Sequence, residues 1–294
     1  QFFPEGGAMV DGLPCRMAFK ALNEFGKPAD EEGEVLDESG AVVASFTSFH
    51  DGMGAFDLRP VRGQNYTARL RKPTADGPDF KLPRVEKNGY QLHVKNQDKT
   101  GLTVEVAATR PGKAYLLATA RDAIFFIKEI TVGNRIHTEK LPTADLPAGI
   151  VRITLLDQNR TEQAERLAFV NHDKKLDIEI KPDRAQYLPR DKVTLDIRVR
   201  DHLGNPVQGA FSLSVADAKL LSFADDKQGH ILSELLLQQD VKGKIEEPGF
   251  YFDSSEPKAA EALDYLLMTQ GWRRFTWKEV QNPQALNYNF LPEQ

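Results

Sequence analysis

Apolar and polar residues alternate along most of this chain with a period of two, in short runs separated by Gly, Asp, Asn and Pro. The stretch 15–21, Val42-Val43-Ala44-Ser45-Phe46 and Ala55-Phe56-Asp57-Leu58 read as strands, as does Tyr66-Thr67-Ala68-Arg69-Leu70. A second set follows at 90–94, 102–106, 114–118, 123–127, 150–156 and 166–170. Short strands at regular spacing with such turns predict antiparallel sandwiches.

The pattern also repeats itself. When 15–37 is laid over 193–217, Cys15, Met17, Phe19 and Ala21 fall on Val193, Leu195, Ile197 and Val199. Gly26-Lys27-Pro28 falls on Gly204-Asn205-Pro206, and the strand that follows on Phe211–Val215. The organisation expected is three modules, 1–84, 85–173 and 174–280, then a linker over 281–294. The fold class is mostly β, three tandem immunoglobulin-like sandwiches.

From about residue 219 the period changes. Ile231, Leu232, Leu235 and Leu236 suit one or two helical turns, and Ala259, Ala262, Leu263, Leu266 and Leu267 a longer helix. Pro257 suits its first turn, Ser254 or Ser255 its cap, and Gly271 its end. The apolar stripe needs a surface, and the nearest is the third sandwich. Trp272, Phe275 and Trp277 would pack beneath it.

Composition narrows the function. Hydrophobic residues are 40% and charged residues 28% of 294, enough for ordinary cores. A net charge of −5 argues against nucleic-acid binding. No run approaches the roughly 20 apolar residues of a membrane helix. A single cysteine excludes an internal disulfide, and Cys15, in register with Val193, reads as a buried hydrophobe. The opening Gln1-Phe2-Phe3-Pro4 carries neither an initiator methionine nor a signal peptide, as expected of a fragment or a processed form.

Candidate chemistry is sparse. His50-Asp51 and His172-Asp173 pair an imidazole with a carboxylate but lie in turns and lack a nucleophile motif. The acidic run Asp30, Glu31, Glu32, Glu34, Asp37, Glu38 lacks calcium-loop spacing, and the histidines lack zinc spacing. No catalytic, cofactor-binding or metal-binding residue is expected. The densest cluster is Trp272, Arg273, Arg274 and Trp277, aromatics beside arginines as at interface anchors.

Several stretches resemble macroglobulin-like β-sandwich domains: Phe2-Phe3-Pro4-Glu5-Gly6-Gly7, Phe19 to Asp37, Gly52-Met53-Gly54-Ala55-Phe56 and Tyr66-Thr67-Ala68. Leu146-Pro147-Ala148-Gly149 with Arg166–Val170 looks like the end of a second such domain. Tyr187-Leu188-Pro189-Arg190-Asp191 is similar to that family's Tyr-x-Pro-Gly-(Glu/Asp) motif, with Arg190 in place of glycine. The segments 231–237, 243–252 and 262–275 resemble large envelope proteins of Bacteroidetes-type bacteria, in which a TonB-dependent receptor plug domain lies downstream. The resemblance implies a non-enzymatic binding or scaffold module of the periplasm or outer membrane, without cofactors, whose protein partner is an outer-membrane TonB-dependent transporter. The alternatives are a protease-binding protein without the Cys-Gly-Glu-Gln thioester motif, cut somewhere in 219–257, and a glycan-binding sandwich.

Overall fold

A computed structural model describes residues 1–73, 77–98, 101–121, 123–217, 219 and 229–273. The first module contains β1 (Phe2–Pro4), β2 (Met9–Val10), β3 (Cys15–Lys20), β4 (Glu32–Leu36) and β5 (Val42–Thr47). β6 (Met53–Leu58), β7 (Thr67–Lys72) and β8 (Phe80–Lys81) complete its two main sheets. The order is β1-β3-β6 in one sheet and β5-β4-β7-β8 in the other. β2 pairs in parallel with β9 (Val85–Glu86), which leads into the next module.

The second module contains β10 (Tyr90–Asp98), β11 (Gly101–Ala108), β12 (Gly112–Ala120) and β13 (Ala123–Val132). β14 (His137–Pro142), β15 (Gly149–Asp157) and β16 (Glu162–Val170) follow. Its sheets are β10-β11-β14 and β13-β12-β15-β16. With β2 set aside, both modules put their first, second and fifth strands in one sheet and the rest in the other. This is the same Greek-key, immunoglobulin-like connectivity, used twice.

Alternation places the cores. Cys15, Met17 and Phe19 meet Val35, Phe46, Phe56 and Ala68 in the first sandwich. Leu92, Val104 and Leu141 meet Leu116, Ile153 and Ala164 in the second. The tight turns share one mechanism. The carboxamide or carboxylate of Asn23, Asp37, Asp157 and Asp201 accepts from the backbone N–H groups two and four residues on. The fourth turn residue is left-handed, Gly26, Gly40, Arg160 or Gly204, which suits glycine in three cases of four. The repeated Gly-x-Pro turns of the sequence therefore match bond for bond.

Of the third module, the described residues form one hairpin, β17 (Asp177–Pro182) with β18 (Leu195–Arg200), and a bridge between Arg200 and Pro206. Arg190 takes φ 72°, so the Tyr187–Asp191 turn keeps the left-handed residue that glycine would supply. The strand expected over Phe211–Val215 is absent, and Phe211, Leu213 and Val215 remain exposed. Among the described residues the third module's sheet is the two-stranded β17–β18 hairpin alone.

The helical region begins with α1 (Ile231–Ser233), which runs into a π-helical stretch, Glu234–Gln238. A 3-10 turn (Phe250–Phe252) and α2 (Ala259–Thr269) follow. Lys258 takes the cap position, while Ser255 instead closes a turn with Asp253. α2 does not lie on the third module. Its apolar stripe packs against the first two sandwiches, on Ala18, Met53, Leu167 and Phe169. The outward positions of the first sheet there are small, Ala18 and Ala55, so a helix can approach closely; the hairpin has no comparable closed sheet to offer.

Candidate functional site: a buried junction between two sandwiches and the C-terminal helix

Residues 229–273 lie in the groove between the first two modules. Val241, Ile245, Phe250 and Tyr251 are buried with Leu263, Leu266 and Leu267 against both. Within the 219–257 stretch expected to hold a protease-sensitive loop, Leu237, Val241, Ile245, Phe250 and Tyr251 are buried, whereas Asp253, Ser254 and Ser255 are exposed. His50 stacks on Phe250 at 3.9 Å, and Phe49 meets Tyr265 edge-on.

At the centre is a charged network. Glu5, just after β1, is buried with its side chain 2% exposed, and Arg166 of β16 is 3% exposed. Arg166 Nε donates to Glu5 Oε1 at 2.9 Å and Nη2 to Asp264 Oδ1 of α2 at 2.6 Å. Its remaining amine donates to the Leu167 carbonyl. Glu5 also accepts from the Val94 N–H at 3.2 Å and is bonded to His93 Nδ1. One guanidinium thus ties the first module, the second module and the last helix together, with its donors turned to defined acceptors.

Two carboxylates of this region titrate in opposite directions. Burial alone would push Glu5 up, but the His93 hydrogen bond and the Arg166 charge hold it below the ordinary range. Glu165 is raised by burial, which Arg152 and Arg273 only partly offset. Those arginines stand 3.5 and 3.7 Å away, too far for hydrogen bonds. The signs follow. Glu5 contributes stability above its unfolded pKa that is lost as pH falls through its folded pKa. Glu165 costs stability above its raised pKa, and that cost is relieved as pH falls through it. Glu5→Gln is expected to lower the urea midpoint at pH 7 and flatten the acid limb, whereas Glu165→Gln is expected to raise the midpoint at pH 7. Equal effects of the two substitutions would contradict this assignment.

Trp272 and Arg273 sit at the same junction. Trp272 Nε1 donates to the Pro4 carbonyl at 2.8 Å, and its ring lies edge-on to Phe3 at 5.7 Å. Arg273 is one-third exposed beside Glu165. Arg274, Phe275 and Trp277 lie outside the described residues, as does the linker over 281–294. The structure adds Glu5, His93, Arg166 and Asp264, which along the sequence are ordinary turn, strand and helix positions. A sequence signal existed in Glu165-Arg166 set inside the apolar run 164–170.

The other candidates occupy structural places. Cys15 is buried in the first core and its thiol is pushed up to about 12, by burial first and then by Glu5 and Asp57. His172 packs on Phe169 at 4.2 Å, and burial lowers its pKa. In the acidic run, Glu32 pairs with Lys72, Glu34 with Arg71, Asp37 caps a turn and Asp30 accepts from the Gly52 N–H. Among the described residues no three His, Cys, Asp or Glu side chains converge as a metal would require. A cleft of about 790 Å³ opens beside the network, lined by Arg16, Asn171, His172, Glu261, Asp264 and Leu267. No helix of the described residues is long and apolar enough to cross a membrane.

No family model matches the chain, and no curated protein matches it. Solved structures overlap it shallowly. The BSP domain of a biofilm-associated protein is 16% identical, covering 57% of this chain and 29% of its own, with a TM-score of 0.29. Domains 4–9 of the surface layer protein SbsC are 12% identical, covering 70% of this chain and 37% of theirs, at 0.33. A two-domain fibronectin type III segment of chicken tenascin is 13% identical, covering 57% of this chain and 99% of that segment, at 0.20. At such scores the fold assignment rests on the strand order described above: a mostly β chain of immunoglobulin-like sandwiches with short helices near its C-terminal end.

Proposed function

We propose that this chain is a non-enzymatic scaffold of the bacterial envelope, which holds its first two sandwiches at a fixed angle. The observation that carries this reading is the Glu5–Arg166–Asp264 network, which joins both sandwiches and α2 through one buried guanidinium. A hinge between modules would leave such charges in water, where they are worth little; burying them makes sense in a joint that stays closed. The resemblance of the 231–275 segments to envelope proteins with a downstream receptor plug supports a place beside a TonB-dependent outer-membrane transporter.

The test is crosslinking of the tagged full-length protein in its native bacterium, followed by mass spectrometry. Recovery of an outer-membrane transporter is expected. Recovery of proteases without a transporter would replace this reading with a trap, and a protease that cuts and leaves would dispose of the trap as well.

A further inference from the structure

On the outer face of the second sandwich, three arginines from separate parts of the chain meet at one small pocket. Val151 and Ile153 of β15 are buried in the core, so Arg152 between them stands outward. It lies opposite Thr119 of β12 and Leu167 of β16. Arg121 directly follows β12, and Arg273 lies just past α2. With Thr119 and Asp240 they line a space of about 110 Å³.

Like charges gathered in this way repel unless something balances them, and the chain balances them incompletely. Glu165 lies behind the pocket with its side chain 2% exposed, yet its oxygens stand 3.5 Å from Arg152 Nε and 3.7 Å from Arg273 Nε. Arg152 Nε is buried without an acceptor, and Glu165 Oε1 is buried without a donor. Among the described residues the Arg121 side chain has no hydrogen-bond or ion-pair partner. Asp240 is exposed to water. Three cations therefore face two carboxylates, and most of the guanidinium N–H groups remain uncommitted.

Each guanidinium is a planar fork of donors that matches the oxygens of an oxyanion. A carboxylate has two oxygens, too few for three forks, whereas a tetrahedral phosphate group has four. We propose that this pocket binds a phosphate-sized oxyanion between Arg121, Arg152 and Arg273. Arg121 and Arg152 belong to the second sandwich and Arg273 to the helical segment, so the bound anion clips one to the other. The site goes beyond the scaffold reading and is independent of a transporter, because its ligand is a small ion and not a protein.

The full chain is titrated with sodium phosphate in a calorimeter at pH 7 and constant ionic strength. Saturable binding is expected, and acetate is expected to bind at least about tenfold more weakly. Glycerol 3-phosphate, the same group on an ester, is expected to compete; if it does not, the ligand is the free ion. Arg152→Gln is expected to weaken phosphate binding at least about tenfold. Arg121→Gln, at an exposed position that the cores do not use, is expected to weaken it at least about threefold. Glu165→Gln removes a negative charge from behind the pocket and is expected to tighten binding. Arg135→Gln, past the opposite end of the β12–β13 hairpin, removes the same charge away from the pocket and is expected to leave binding unchanged. Heat that does not saturate overturns the proposal, as does acetate binding as tightly as phosphate. So does binding indifferent to Arg121→Gln, or an equal loss in Arg135→Gln, which would mark a diffuse field and not a site.

Discussion

Arg166→Met is expected to lower the unfolding free energy by about 3–5 kcal/mol, the range for removing one member of a buried ion pair. The loss comes mainly from what stays behind. Glu5, with its side chain 2% exposed, keeps its His93 and Val94 contacts but loses the charge that balances it. Asp264 suffers less, because its side chain is 30% exposed and water can replace the guanidinium. Adding Glu5→Gln to Arg166→Met is therefore expected to recover a large part of the loss, since a neutral amide costs less to bury than an unpaired carboxylate. Urea unfolding of the two single variants and the pair forms a double-mutant cycle. A cost for Arg166→Met no greater than that of an exposed ion pair, below about 1 kcal/mol, would show that the network is solvated and that the joint opens.

Leu263→Ala is the second substitution with a large expected effect, about 2–5 kcal/mol. Leu263 is 1% exposed and lies in the cluster shared by α2, the first sandwich and the second. Its removal leaves a cavity at the joint and not within either sandwich core. Loss of stability is therefore expected together with a broader distribution of angles between the modules, measured by small-angle scattering below the unfolding transition. Leu235→Ala, at a position 52% exposed, is the comparison and is expected to change stability by less than about 0.5 kcal/mol. Stability loss with an unchanged scattering profile would show that the sandwiches hold their angle without the helix.

The strands were legible because alternation is local. The runs at 42–46, 55–58 and 150–156 lie within β5, β6 and β15, and the run at 15–21 covers β3 and passes its end by one residue. β14 was missed, because His137-Thr138-Glu139-Lys140-Leu141-Pro142 has only one strongly apolar position and its inward face shows only in register with β11. The repeat visible in the sequence linked the first and third modules, yet the connectivity repeats most fully between the first and second. Connectivity depends on pairing and leaves no fixed sequence mark, whereas the Gly-x-Pro turn does.

The junction was the least legible part. The stripe on α2 announced a buried face without naming its partner, and Ala18 looked like any strand residue. A small side chain at an outward position becomes a helix seat only through contacts more than 200 residues away. Separations of 161 and 98 residues hid the network as well, since Glu5 stands among turn residues and Arg166 in an apolar strand. Trp272 and Arg273 carried a visible signal, aromatic beside cation, and they do lie at this junction.

The bond from Trp272 to the Pro4 carbonyl closes a loop of 268 residues. Each sandwich can collapse as soon as its own strands have been synthesised, because its core is drawn from its own segment. The joint between them is completed only when the helical segment arrives and adds Asp264 and Trp272 to it, after the hairpin. For a protein made from its N-terminus, shape is thus acquired in two stages, with folded beads first and a fixed joint last. During that interval the apolar seat around Ala18, Met53 and Leu167 stands open, and the nascent chain is then most exposed to wrong partners and most in need of a chaperone.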